Sequence, residues 1–269
     1  MIRLIATDMD DTLLDASSSL TERTRCALQK AMEAGCMISL SSGRMTESML
    51  PFAEKIGVNA PMILYNGALI YDHRTGETLF SNPIPADIAL GVAKMIESMG
   101  IYLQIYPGEG YYCNRRCAHT DRYEASIRVP CTELGVPVSQ WMTGGMIKML
   151  AIATPEEIDI AQKKLREAFP SGVNFMKSKA HYLEIVGEGI DKGRAIHVLA
   201  EKLGLSTDEI AAFGDGQNDA TMIAAAGVGV AMENAVPECK AAAKIIAPRS
   251  DEDGVAQVIE QFLKDGRFT

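Results

Sequence analysis

Three acidic residues crowd the stretch DMDDT, where Asp8, Asp10 and Asp11 follow the apolar run Leu4-Ile5-Ala6. Carboxylates this close repel one another, and each ionised group near a buried strand end is destabilising unless a cation or a hydrogen-bond donor compensates it. A plain turn is one explanation, because Asp favours loops and caps. The other is a site for Mg²⁺, a hard cation that binds carboxylate oxygens and keeps several waters.

Three further polar clusters accompany this one: SSGR at 41–44, DKGR at 191–194 and GDGQND at 214–219. Each has an ordinary structural role when taken alone, as a helix start, a solvated lysine or a capping loop. Their chemical roles would be different: hydroxyl and N–H groups at a helix N-terminus hold phosphate, and a lysine places a point charge on a phosphoryl oxygen. Coincidence of all four clusters is improbable, so we expect them to share one pocket.

The elements that position these clusters alternate between strands and helices. Apolar strands are predicted at 3–7, 37–40 and 62–65, and a helix is predicted at 46–56. The alternation resumes from residue 191. It predicts an α/β parallel sheet, whose strands end at one edge, where ligands bind. Between the two halves we expect an α+β insert at 85–186, which leaves 1–84 and 187–269 as the core.

Composition narrows the class of protein further. The chain has 269 residues and a formal net charge of −9, without a Lys/Arg-rich run, which argues against nucleic acid or an anionic membrane as the main partner. No apolar stretch approaches a membrane span, and the N-terminus does not resemble a signal peptide, so a cytoplasmic protein is expected. The six cysteines are scattered; reduced structural thiols are favoured over a metal or redox role for the CNRRC pair.

Taken as a set, DMDDTLL, SSGR, the lysine of EGIDKGRA and GDGQNDATM resemble the four signature motifs of the haloacid dehalogenase-like hydrolase superfamily. The long insert resembles the cap of its Cof-type phosphatase branch. The resemblance spans essentially the whole chain. It implies a Rossmann-like catalytic core and a cap domain that selects the substrate.

Carried over by position, the resemblance assigns roles to individual residues. Asp8 becomes the nucleophile and Asp10 the general acid/base. Mg²⁺ would be bound by the side chains of Asp8 and Asp215 and by the backbone carbonyl of Asp10, with Asp219 behind them, near Lys192 or a metal-bound water. The groups implied for phosphate binding are the backbone of Met9, together with Ser42, Gly43, Lys192 and Asn218. Two positions depart from the family pattern: Asp11 replaces the usual Gly, and Ser42 replaces the commoner Thr.

The resulting expectation is a Mg²⁺-dependent phosphatase for small phosphorylated metabolites, sugar phosphates first among them, that works through an aspartyl phosphate as a monomer or weak homo-oligomer. One alternative is a phosphomutase, which would return the phosphoryl group to the sugar. Another is a receiver-like signalling protein with a phosphorylated Asp. Receivers are about half this length, and Asp10 supplies the acid/base that turnover needs.

Overall fold

The computed structural model of the protein describes residues 1–15 and 17–268. The chain divides into two compact units, which we name the core unit and the insert unit. The core unit contains residues 1–43, 49–80 and 191–269, and the insert unit contains residues 44–48 and 81–190. The short piece 44–48 thus belongs with the insert unit although it lies far from it in the sequence.

Fourteen strands are present in the described residues. They are β1 (Leu4–Thr7), β2 (Met37–Leu40), β3 (Met62–Leu64), β4 (Leu69–Asp72), β5 (Glu77–Ser81), β6 (Tyr102–Tyr106), β7 (Tyr112–Cys113), β8 (Thr132–Glu133), β9 (Lys148–Ile152), β10 (Val173–Lys179), β11 (Tyr182–Gly187), β12 (Ile210–Gly214), β13 (Val228–Met232) and β14 (Ile245–Ala247).

The described part of the chain also contains ten α-helices. They are α1 (Glu22–Glu33), α2 (Thr46–Ile56), α3 (Ala86–Ser98), α4 (Ala118–Ile127), α5 (Val138–Trp141), α6 (Pro155–Ala168), α7 (Lys192–Leu203), α8 (Ala220–Ala225), α9 (Pro237–Ala242) and α10 (Gly254–Lys264). Their ends follow local sequence signals. Thr21 caps α1 by accepting a hydrogen bond from the Thr24 N–H, and Gly204 ends α7 in the left-handed conformation.

The core unit is built on a parallel sheet in the order β14-β13-β12-β1-β2. Strand β1 is completely buried and pairs in register with β12 on one side and β2 on the other. A single parallel bridge from Ser41 to Ile63 continues the sheet toward β3, which forms an antiparallel meander with β4 and β5. The clusters at 8–12, 41–44 and 214–219 therefore leave neighbouring strands at the same edge.

The insert unit contains a six-stranded sheet in the order β10-β11-β9-β6-β7-β8, mostly antiparallel. Its apolar core joins α3 and α6 to one sheet face, with Ile105, Met149 and Leu183 among its members. A parallel-sheet unit and a separate α+β unit confirm the predicted α/β class. Within the described residues, no helix has both the length and the apolar run that crossing a bilayer requires.

Candidate active site

The first element of the site is the turn that leaves β1. The Asp8 N–H donates to the Phe213 carbonyl at 2.9 Å, which continues the pairing of β1 with β12 and fixes the Asp8 backbone. The chain then makes one wide helical turn, Met9–Leu13, in which Asp11 adopts φ 61. Asp8 is buried, Asp10 is half-buried and Asp11 is exposed. The three crowded acids therefore occupy different environments.

The second element is the loop after β12, which carries Asp215 and Asp219. The Thr12 hydroxyl donates to Asp215 Oδ1 at 2.6 Å and so connects the turn after β1 to this loop. Asp219 folds back, because its Oδ2 accepts from the N–H groups of Asp215 at 3.1 Å and Gly216 at 2.9 Å. Glycine is required at position 214, since a Cβ there would lie 2.4 Å from the Asp219 Cβ.

Lys192, the first residue of α7, lies between two carboxylates. Its Nζ donates to Asp8 Oδ1 at 2.6 Å, to Asp219 Oδ1 at 2.5 Å and to the Ser41 carbonyl at 3.2 Å. The side chain is fully buried. Asp191 holds the start of α7 by accepting from the Arg194 N–H at 2.9 Å. The lysine is therefore part of the site and not a solvated surface residue.

Burial and like-charge repulsion shift the pKa values of these groups. Burial, followed by repulsion from Asp219, raises the pKa of Asp8 well above its ordinary value, although Lys192 opposes the shift. Burial also raises the pKa of Asp215 to about 7, despite the hydrogen bond from Thr12. Burial alone would lower the pKa of Lys192, but Asp219 and Asp8 raise it, so the ammonium stays charged. One cation does not neutralise this group of acids.

The donor set fits a divalent metal ion. Carboxylate oxygens of Asp8, Asp215 and Asp219 lie within 4.8 Å of one another. Hard cations such as Mg²⁺ prefer such ligands, and a bound ion would offset the repulsion that raises the two aspartate pKa values. Asp219 already accepts hydrogen bonds at both oxygens, from Lys192 and from two N–H groups, whereas Asp215 accepts one from Thr12 at Oδ1. The cluster is thus compatible with a metal site.

The remaining residues implied for phosphate binding lie after β2 and in the loop after β12, and Asn66, which follows β3, contacts both segments. The Ser42 N–H donates to the Ile63 carbonyl at 2.9 Å, and the Ser42 carbonyl accepts from the Asn66 N–H at 3.0 Å. Asn218 Nδ2 donates to Asn66 Oδ1 at 2.9 Å. Gly43 lies against the same Asn66 amide.

Of the residues singled out from the sequence, Asp8, Lys192 and Asp219 are in direct hydrogen-bond contact, and Asp215 completes their acidic cluster. Met9 and Asp10 lie on the wide turn directly after Asp8. Two residues were missed. Thr12, which bonds Asp215, was visible as a hydroxyl inside DMDDT, and Asn66 was visible only as part of a strand-end Asn-Gly pair.

Comparisons with known proteins agree with this site geometry. The model of the haloacid dehalogenase-like hydrolase family matches residues 5–259. The chain belongs to this family. A putative phosphatase of Streptococcus pyogenes is 30% identical to it over 97% of this chain and 98% of the relative. The pyridoxal phosphate phosphatase YbhA of Escherichia coli is 29% identical over 97% and 98%. These relatives confirm the prediction of a phosphatase of the Cof type.

A solved structure supports the same assignment. The haloacid dehalogenase-like hydrolase from Bacteroides thetaiotaomicron superposes with a TM-score of 0.90 at 28% identity, and the match covers 97% of this chain and 100% of that one. The haloacid dehalogenase-like fold expected from the four motifs is therefore confirmed over nearly the full length.

Proposed function

We propose that this member of the haloacid dehalogenase-like family is a Mg²⁺-dependent phosphatase that hydrolyses small phosphorylated metabolites through an aspartyl phosphate on Asp8. The observation that carries the proposal is the buried Lys192 ammonium, which contacts both Asp8 and Asp219 beside the carboxylate of Asp215. Mg²⁺ would be held by the side chains of Asp8 and Asp215 and by the Asp10 carbonyl, and it would supply positive charge to the phosphate oxygens.

The roles of the protein groups follow from electrostatics. An anionic carboxylate and a phosphate dianion repel, so Asp8 attacks phosphorus only where fixed positive charge and N–H donors compensate both. Lys192 is such a charge and is already in contact with Asp8. We assign the other phosphate contacts to the Met9 backbone, Ser42, Gly43 and Asn218.

Asp10 is assigned the proton transfers. Its place on the turn beside Asp8 and its partial exposure, which allows proton exchange with water, support this role. In the first step it gives a proton to the leaving alkoxide as the P–O bond breaks and the bond from phosphorus to Asp8 forms. In the second step it takes a proton from the water that attacks phosphorus and releases Asp8 and inorganic phosphate.

Substrate selection is assigned to the insert, residues 85–186, and catalysis to 1–84 and 187–269. A sugar phosphate or a related phosphomonoester is the expected substrate. One relative named as acting on pyridoxal phosphate supports a small phosphomonoester, because that compound also carries a single phosphate on a compact polar ring. A panel of phosphorylated sugars and cofactors, assayed with Mg²⁺ and then with EDTA, identifies the class through the phosphate released.

The decisive test of mechanism is Asp8→Asn at pH 8. We expect phosphate release to fall at least about 10³-fold, since loss of a covalent nucleophile removes most of the acceleration. Borohydride should trap the acyl phosphate in the wild type, converting residue 8 to homoserine, which mass spectrometry detects. Asp11→Asn, at the exposed acid of the same turn, is the matched control and should remain active. Wild-type turnover by Asp8→Asn would refute the assignment.

A further inference from the structure

Asn66 occupies a conformation that few side chains accept. Strand β3 ends at Leu64, and the next two residues, Tyr65 and Asn66, both have positive φ values of 52 and 59. A bulky residue in this left-handed region is strained, whereas Asn tolerates it comparatively well. The Asn66 N–H donates to the Ser42 carbonyl, which ties this bend to the loop after β2. Strain of this kind persists where the surroundings require it and is frequent at functional sites.

The side chain of Asn66 connects two of the segments to which phosphate binding is assigned. It is fully buried, and its Oδ1 accepts from Asn218 Nδ2 at 2.9 Å. Its amide also covers Gly43 so closely that a Cβ on that glycine would lie 2.9 Å from Oδ1 and 3.1 Å from Nδ2. Position 43 therefore has to be glycine for the Asn66 amide to lie there.

The other end of the same amide is unsatisfied. Asn66 Nδ2 is buried and has no hydrogen-bond partner among the residues that the structure describes. A buried donor without an acceptor is destabilising, and native proteins keep few of them. Here the orphaned donor lies beside Gly43 and on the side chain that holds Asn218. A donor can be satisfied only by an acceptor, so an oxygen of water or of a bound ligand can satisfy Nδ2, whereas a cation cannot.

We propose that Asn66 Nδ2 donates a hydrogen bond to a phosphoryl oxygen of the substrate, which makes Asn66 a further phosphate-binding residue of this enzyme. The proposal rests on the proposed function, because it takes Gly43 and Asn218 as phosphate contacts. In it, one amide has two tasks: Oδ1 orients Asn218, and Nδ2 binds the anion. The Asn-Gly pair at the end of β3 is then a ligand-binding bend.

Two variants separate these tasks. Asn66→Asp keeps an oxygen that can accept from Asn218 and tolerates the left-handed backbone, but it replaces the donor by a negative charge. Asn66→Gly keeps the backbone conformation and removes both ends of the amide. The probe is inorganic phosphate, titrated calorimetrically in the presence of Mg²⁺, with KM and kcat measured in parallel on a phosphomonoester that the wild type hydrolyses.

We expect phosphate affinity to fall about tenfold in Asn66→Gly and about 100-fold in Asn66→Asp, because a hydrogen bond to a charged group is lost and, in the second case, a like charge is added. KM should rise by similar factors. If Asn66→Asp binds phosphate as well as the wild type, or better than Asn66→Gly, the orphaned donor does not contact phosphate and the inference is overturned.

A structural asparagine provides the control. Asn59 accepts from the Ile38 N–H and donates to the Cys36 carbonyl at the start of β2, away from the acids. Asn59→Asp should lower the melting temperature and leave phosphate affinity unchanged, which separates folding defects from binding defects. A wild type that neither binds nor releases phosphate would refute the proposed function itself, whereas an active wild type with an unaffected Asn66→Asp refutes only the role of Asn66.

Discussion

Replacement of Lys192 by Met tests whether this lysine compensates the buried acids. Met keeps most of the aliphatic stem, so the main change is loss of the ammonium that lies 2.6 Å from Asp8 Oδ1 and 2.5 Å from Asp219 Oδ1. Both carboxylates are buried. Removal of one partner from a buried ion pair costs about 3–5 kcal/mol, because the remaining charge stays uncompensated. We expect metal-free Lys192→Met to lose stability by about this amount at pH 8.

The loss of stability in Lys192→Met should depend on pH in a defined direction. The pKa of Asp8 is already raised by burial and by Asp219, and loss of Lys192 raises it further. An acid whose pKa is higher in the folded than in the unfolded state binds more protons when folded, so stability falls as pH rises from the unfolded pKa through the folded one. The penalty is therefore full above the folded pKa and shrinks as pH falls toward the ordinary Asp range.

The assay is urea unfolding followed by circular dichroism in EDTA at pH 8 and pH 6. The double variant Lys192→Met/Asp8→Asn should recover part of the loss, because it removes one of the two uncompensated carboxylates. Lys202→Met, at an exposed position of the same helix, should have little effect. A Lys192→Met penalty that is below about 1 kcal/mol at pH 8, or that grows as pH falls, contradicts the reasoning.

Three further predictions concern the candidate metal site and the insert unit. Because the pKa of Asp215 is about 7, Mg²⁺ must displace a proton below that pH, and calorimetry should show affinity falling about tenfold per pH unit from pH 7 to pH 5. Thr12→Val removes a hydrogen bond that lowers the pKa of Asp215, so the loss of Mg²⁺ affinity should begin at a higher pH. In Thr12→Ser it should begin at the same pH as in the wild type. A Mg²⁺ affinity that is independent of pH refutes both predictions. In the insert unit, Lys148 and Glu184 form a buried ion pair at 2.6 Å. Lys148→Met should lower the free energy of unfolding, measured with urea, by about 3–5 kcal/mol. Lys148→Met/Glu184→Leu should recover most of that loss. A double variant as unstable as the single one would show that the two charges are not coupled.

Local signals were sufficient to predict much of the fold. The helix expected at 46–56 is α2, and side-chain caps are present at Thr21 and from Ser206 to Glu209. These features depend on hydrogen bonds within one turn of chain, so the sequence specifies them directly. The strand predicted to end at Tyr65 ends instead at Leu64, since Tyr65 and Asn66 turn into the left-handed region. The Asn66 N–H donates to the Ser42 carbonyl, a contact with a distant segment that the local sequence does not reveal.

The candidate site likewise contains residues that the local sequence reveals and residues that only long-range contacts reveal. The four motifs are short and chemically distinctive, so their residues were visible in the sequence. Asn66 was not, because Asn-Gly after a strand is also the strongest signal for a hairpin turn. Its partner Asn218 lies 152 residues away. A turn asparagine and a ligand-binding asparagine look the same in the sequence, and the folded structure is needed to distinguish them.

Asp11 shows how the departure from the family's usual Gly is tolerated. Position 11 has φ 61, a value at which Gly is favoured and Asp is among the better substitutes. The Asp11 carbonyl accepts from Asn234 Nδ2 at 2.8 Å, which holds the turn without help from glycine. The cost is electrostatic, since Asp11 contributes to the repulsion that raises the pKa of Asp215. The backbone therefore accommodates Asp11, whose added negative charge increases the repulsion that a bound metal ion would offset.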